Sequence, residues 1–345
     1  MQAVYVNGAA VTSTWADARF SLTELIYDCV QKALTDADIR AADLDAVVLG
    51  AHDLVDGRGL TSMVTAPAAA AYLKDETRLG EDGASAFVLG DARVRSGSVG
   101  TCLVAAWGRA SEGPVDRISN ALFDPFTTRP LGMTEIAVSG LRATQAIASY
   151  PSYDGERQRA AASRHSPPAD PARAPSPPWP LRAGECPVWA DVVAAVVLSN
   201  ARSPVQVRGV GMSTEPFDIG DRDLLGLPAL RQASSQALHA AGLDIEDVDV
   251  LELDGLTLFD DALAVEAVGA AQRGQGMRAM AGGRGVNTGG GSSVGYCAPA
   301  MGLVRIARAY ERLIRDDADA ALATGSSVVA SQNQAAVVLS HNRTR

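Results

Sequence analysis

A pattern that recurs 204 positions along the chain constrains this sequence most. Ala33-Leu34, eight residues, then Asp43-Leu44-Asp45 and the apolar run Ala46-Val47 is matched by Ala237-Leu238, eight residues, then Asp247-Val248-Asp249 and Val250-Leu251. Each copy reads as a helix, a short acidic loop and a buried strand, and the order of elements after it is similar in the two halves. Self-similarity of this kind predicts a duplicated fold whose halves pack across a pseudo-twofold axis.

The flanking sequence supplies the class. Ala3 to Val11 reads as a strand, and Ser21 with Glu24 forms a capping box for a helix through Leu34. Asp45 to Leu49, Thr101 to Trp107, Val192 to Leu198 and Val205 to Met212 are apolar runs, as in strands covered on both faces. Asp53 to Gly59 reads as a polar loop and Thr61 to Leu73 as an alanine-rich helix. Glu81-Asp82-Gly83 opens another helix, ending near Ser96-Gly97, with the two acids favouring its N-terminus. The resulting β-α-β-α-α-β order predicts a layered α/β fold. The stretch 111–184 breaks the rhythm: it holds a helix from about Thr134 to Ala148 and then the proline-rich run Ser166 to Pro180, an extended or flexible excursion. The second half continues with a helix near Leu258 to Ala271, a helix to about Ile314, and strands at Ala320 to Thr324 and Ala335 to Leu339. The domain expectation is therefore 1–110 with 185–200 as one half, 111–184 as an inserted loop domain, and 201–345 as the other half.

Composition narrows the function classes. A net charge of −10 argues against a nucleic-acid partner. No apolar run is long enough for a bilayer span, and the first residues lack a basic leader region, so the expectation is a cytoplasmic protein without a membrane partner. Cys29, Cys102, Cys186 and Cys297 are scattered, and His52, His165, His239 and His341 form no HxxxH or HExxH pair, so no metal site is expected.

The chemistry concentrates in Gly282 to Gly302, where eight glycines precede an apolar helix. Such a loop approaches a ligand closely and aims free N–H groups at it. Gly290, Gly291 and Gly295 are its candidate binding positions, and Asn287 could hold a water or a loop carbonyl. Tyr296 and Cys297 end the loop as candidate reactive groups; the bland alternatives are a packed tyrosine and an inert buried thiol. Asp254 follows a buried strand, where it is either a functional carboxylate or the cap of a helix starting near Thr257.

Duplicated halves with this glycine loop resemble the thiolase superfamily, and within it the sterol-carrier-protein-X type of thiolase-like and lipid-transfer proteins. The likeness is carried by Phe123-Asp124-Pro125-Phe126 with Arg129-Pro130-Leu131-Gly132-Met133-Thr134, by Pro180-Leu181-Arg182 with Cys186-Pro187-Val188 and Asp191 to Val197, by Val250 to Leu256, and by Asn287 to Tyr296. It implies a five-layer αβαβα sandwich that dimerises, with an acyl group carried on coenzyme A or on the phosphopantetheine of an acyl carrier protein and no bound cofactor. Members use a cysteine at a helix N-terminus, where the dipole lowers the thiol pKa.

The chain departs from that pattern where the chemistry resides. The nucleophile position implied by the resemblance falls at Gly80, the "HD" motif reads Asp254-Gly255, the "GHP" motif reads Gly295-Tyr296-Cys297, and the final cysteine is absent from Gly325 to Val329. Three readings stand. The first is a retro-aldolase-like lyase acting on a 3-hydroxyacyl thioester, in which Tyr296 handles the hydroxyl proton, Asp254 assists and the loop amides hold the enolate oxygen. The second is a non-catalytic subunit paired with an active thiolase or ketosynthase, or with a zinc-ribbon/OB-fold protein. The third is acyl transfer through Cys297.

Overall fold

The computed structural model describes residues 2–14, 20–56, 62–163, 176–282, 285–327 and 329–342. In chain order these form β1 (Val4–Thr14), α1 (Leu22–Asp36), β2 (Ala46–Gly50), α2 (Asp53–Asp56), α3 (Ser62–Thr65), β3 (Asp75–Leu79), α4 (Gly83–Arg95) and β4 (Thr101–Arg109). The excursion carries α5 (Val115–Leu122), α6 (Glu135–Ser149) and α7 (Ser152–Ser163). The chain then returns through β5 (Asp191–Ser199), β6 (Val205–Thr214), α8 (Pro228–Ala241), β7 (Val250–Glu252), α9 (Leu258–Ala267), α10 (Gly276–Ala281), α11 (Ala298–Arg315), β8 (Ala320–Ser326) and β9 (Asn333–His341).

The strands run in the order β3-β2-β4-β5-β1-β6-β9-β8-β7. Cutting that order between β1 and β6 gives two matching halves. In each, a parallel pair (β2–β4, β7–β8) is followed by an antiparallel pair (β4–β5, β8–β9) and then by the strand that opens the half. The halves touch through Val4–Val6 of β1 against Val205–Val207 of β6. A layer of helices lies between them. α11 is buried on nearly every side over its first turns, from Pro299 to Ala307, which marks a helix covered on all faces. It packs with α4 in one apolar core that draws Val48, Val104 and Val196 from the first half and Val207, Ala321 and Val337 from the second. α1 shows a single buried stripe, Leu22, Leu25, Ile26, Cys29, Val30 and Ala33, and covers the outer face of the first half. α8 and α9 cover the outer face of the second. The layers are therefore α, β, α, β, α.

The repeat has a physical cause at each position. Asp43 and Asp247 each close their own turn, accepting the N–H of Arg40 at 3.0 Å and of Asp244 at 2.9 Å. Asp45 and Asp249 each receive the first two N–H groups of the neighbouring parallel segment, Gly100 and Thr101 in one half, Asp319 and Ala320 in the other. A further matched pair is Gly8 and Gly209, each at a register shift in the strand that opens its half. A Cβ there would lie 2.5 Å from Ala37 N and 2.0 Å from Ala237 O, so both let the outer helix settle against the strand.

Several expectations need correction. The alanine-rich helix over 61–73 is helical only at Ser62–Thr65 and continues as turns, with Ala70 and Leu73 at positive φ. Pro67 explains this, since it removes a helical N–H and disfavours the helical conformation of the residue before it. The polar loop at 53–59 begins as the short helix α2, and its remainder lies outside the described residues, as do Thr61 and most of the proline-rich run Ser166 to Pro180. β3, whose sequence DETRL lacks an apolar run, was not expected as a strand.

Candidate active site

Where β4, α5, α6, α9 and the start of α11 converge, a cavity of about 970 Å³, open mouth included, brings together Tyr296, Asp254, Glu135, Arg142, Asp260 and Ser326. The first two are candidates that the sequence analysis named separately. The others arrive from the excursion and from the chain near the ends of α9 and β8.

Tyr296 is fixed by its backbone before its side chain is considered. Its N–H donates to Val188 O at 2.8 Å, its carbonyl accepts from Ala190 N at 3.3 Å, and its ring meets Trp189 edge-on at 6.1 Å. The preceding Gly295 has φ +137°, and a Cβ there would lie 2.5 Å from Ser13 Oγ. The buried phenol is pushed well up by desolvation and by the fields of Asp254, Glu135 and Asp82. It is a neutral donor. Its hydroxyl makes no hydrogen bond among the described residues.

Asp254 is neither a lone carboxylate nor the cap of α9; Thr257 caps that helix. Its Oδ2 accepts from Ser326 N at 3.1 Å and Ser326 Oγ at 2.9 Å, while Oδ1 is buried without a partner. Burial raises its pKa, and Arg305 and the two Ser326 bonds pull it back. Nearby, Asp82 caps α4 through Ala84 N at 2.7 Å and reaches Gly302 N of α11 at 2.9 Å. Desolvation, then Asp254, holds its carboxyl well above the usual range. Gly302 and Gly325 make room for it: a Cβ on either would sit 1.9 Å or 2.3 Å from Asp82 Oδ1. The start of α4 thus carries an enclosed carboxylate where a nucleophile was sought.

The glycine loop serves the fold more than the cavity. Gly290, Gly291, Gly295 and Asn287 are absent from the described cavity lining. Gly290 and Gly291 take φ of +101° and +59° in a tight turn that closes on Asn287 O and receives Ser293 N. Asn287 ties the loop to the end of β7, accepting from Leu253 N at 2.7 Å and donating to Leu253 O and Asp261 Oδ1. Both of its amide N–H groups are thus engaged within the protein. Gly80 is exposed at the end of β3, with only His52 within 4 Å of a hypothetical Cβ, and it does not line the cavity. The chain runs on past it to Asp82 before the helix starts. Cys297 lines the wall but is packed into Gly108, and burial together with Asp191 and Asp56 pushes its thiol up. The Ala298 N–H offsets this only in part and no cation among the described residues does, so the thiol is not activated as a nucleophile.

Glu135, Arg142 and Asp260 were missed because each doubles as a structural residue. Glu135 follows Thr134, the N-cap of α6, and reads as an ordinary first-turn acid. Its Oε1 accepts the N–H of Ala330 at 2.7 Å. Ala330 and Ser331 both have positive φ, and Ala330 O is held by Arg142 at 3.3 Å and Arg222 at 3.0 Å. Burial pushes Glu135 up to about 8. Asp260, by contrast, is saturated by Arg142, Ser139 and Thr257. The apolar wall comes from Val115, Ile118 and Leu122 of α5 with Trp189.

Residues 211–342 match the family model described as "Thiolase C-terminal domain-like". No curated protein matches by sequence. Among solved structures, one described as "Ltp2-ChsH2(DUF35) aldolase" superposes with a TM-score of 0.79 at 19% identity, covering 100% of this chain and 99% of that one. Human mitochondrial 3-ketoacyl-CoA thiolase superposes with a TM-score of 0.71 at 16% identity, with 99% of each chain covered. These likenesses establish the fold.

Proposed function

We propose that this chain, whose fold is thiolase-like, cleaves a carbon–carbon bond in a 3-hydroxyacyl thioester without an acyl-enzyme. One observation carries the reading: Tyr296 and Asp254 line the same open cavity while no activated thiol faces it. The free Oδ1 of Asp254 takes the proton of the substrate's β-hydroxyl, and Ser326 stabilises the carboxylate in the charged form that can accept it. As the hydroxyl oxygen becomes a carbonyl, the bond between Cα and Cβ breaks and its electron pair moves into the thioester as an enolate. The neutral Tyr296 phenol donates a hydrogen bond to the oxygen on which that charge develops, the role first given to the loop amides.

The acyl carrier is coenzyme A or the phosphopantetheine of an acyl carrier protein. The name of the aldolase above includes a DUF35 component, and a partner of that kind, or a second thiolase-like subunit, is proposed for this chain. The test is cleavage of a series of 3-hydroxyacyl-CoA thioesters by wild type and Tyr296→Phe, each alone and with a co-purified partner. Losing the phenol should lower kcat by about 10²–10³-fold. Full activity in Tyr296→Phe ends its catalytic role. Wild type that cleaves none of the series in either state leaves the silent-subunit reading in its place.

A further inference from the structure

A cleavage of this kind has two proton positions, and the residues above fill only one. The β-hydroxyl proton goes to Asp254; the enolate carbon still needs a proton before the shortened thioester can leave. We infer that Glu135, projecting from the first turn of α6 into the cavity, is the acid that protonates Cα of the enolate. The assignment rests on the cleavage reading of the site.

Its setting suits a proton donor. One carboxyl oxygen is anchored by Ala330 N–H, which orients the group and leaves the other oxygen to carry the proton. The anchor itself is rigid, because two guanidinium groups from different segments hold the Ala330 carbonyl. Its charged neighbours are Arg142 on its own helix, Arg222 before α8 and Asp260 on α9, with the neutral phenol of Tyr296 also nearby. Arg142 is engaged by Asp260 at 3.0 Å, and Glu135 has no ion-pair partner among the described residues. Burial therefore outweighs the cations and the carboxyl is protonated at neutral pH. Asp254, with two donors from Ser326, is the better anion of the two.

The step balances. The O–H bond of Glu135 breaks, its proton bonds to Cα, and the enolate electron pair forms the new C–H bond while the thioester carbonyl is restored. The carboxylate of Glu135 is left ionised, Asp254 is left protonated, and one proton passing through solvent from Asp254 to Glu135 resets the site. No oxidant or reductant enters.

Run backwards, the step exchanges the α-hydrogens of the product thioester. The experiment incubates the full-length protein, with its partner where one co-purifies, with acetyl-CoA and with propionyl-CoA in D₂O, and follows α-deuteration by mass spectrometry. Wild type should exchange, and Glu135→Gln, whose amide oxygen still accepts the Ala330 N–H, should lose about a hundredfold or more of that rate. Asp254→Asn should lose cleavage of 3-hydroxyacyl-CoA thioesters yet keep exchange. An independent readout needs no variant: the wild-type exchange rate should climb with pH and level off above about 8. Undiminished exchange in Glu135→Gln, or a flat profile between about pH 6 and 9, overturns the assignment while cleavage by wild type stands. Wild type that neither cleaves nor exchanges overturns the cleavage reading and the assignment with it.

Discussion

At the residue scale, the site is set by which carboxyl groups have donors and which do not. Ser326 gives Asp254 two hydrogen bonds, and each favours the ionised form. Ser326→Ala removes the hydroxyl bond and keeps the backbone one. The acidic limb of kcat against pH should therefore move to higher pH, with rate lost near pH 6 and recovered at higher pH. An unmoved limb separates that limb from Asp254. Cys297 offers the opposite test. A thiol raised by burial and by two carboxylates should resist iodoacetamide in the native protein at pH 8 and react only after unfolding. Native alkylation, followed by peptide mass spectrometry, would restore it as a candidate nucleophile. Tyr296, Asp254 and Cys297, which line the cavity, could be named from the sequence because they sit next to a glycine loop or after a buried strand. Glu135 was not, since nothing in Met133-Thr134-Glu135 distinguishes a helix-opening acid from one that faces a cavity. Only the position of Ala330, 195 residues away, does that.

At the element scale, the repeat was readable because it consists of side chains that bond to backbone within a few residues or to the next strand. Asp43 and Asp45, and their counterparts Asp247 and Asp249, do the same work in both halves. What escaped detection was polar or tertiary in origin. β3 is an edge strand with no buried residue, and its pairing with β2 is decided by the sheet and not by its own composition. The matched glycines Gly8 and Gly209 leave no periodic signal, yet they set how closely α1 and α8 approach. Gly209→Ala would force a methyl to within 2.0 Å of Ala237 O, and Gly8→Ala to within 2.5 Å of Ala37 N. Each should destabilise by about 1–3 kcal/mol, read from urea midpoints, because backbone rather than a flexible side chain must give way. A neutral result at both would mean that the outer helices can slide.

At the scale of the whole molecule, a cluster of buried carboxyl groups makes stability depend on pH. The folded-state pKa of Glu135 is raised, to about 8, above its ordinary value of 4.5. The folded state therefore binds more protons than the unfolded state between those values, and stability falls as pH rises through them. The contribution is fully present below about 4.5 and gone above about 8. Asp82 and Asp254 act in the same direction. Urea denaturation from pH 5 to pH 9 should show the midpoint of wild type declining and that of Glu135→Gln declining less. Parallel curves would mean that Glu135 is ionised throughout. The layered architecture was legible as a whole because apolar strands and an amphipathic α1 specify it locally. The cavity was not, because its walls come from many segments that the sequence keeps far apart.

The two sides of that cavity differ in how firmly they are held. Tyr296 and Cys297 lead directly into α11, whose 18 residues run through the middle of the protein with both sheets around them. The facing helix α5 buries only Ser119 and turns Val115, Ile118 and Leu122 toward the cavity. Amide hydrogen exchange should thus be slow along α11 and fast along α5 in the free protein. If the proposed acyl thioester binds there, it would slow exchange chiefly in α5, the more loosely held wall, while Tyr296 stays fixed. Under the proposed function, substrate range and chemical step could then be altered separately: substitutions along α5 would change which thioesters are accepted, without moving Tyr296 or Asp254.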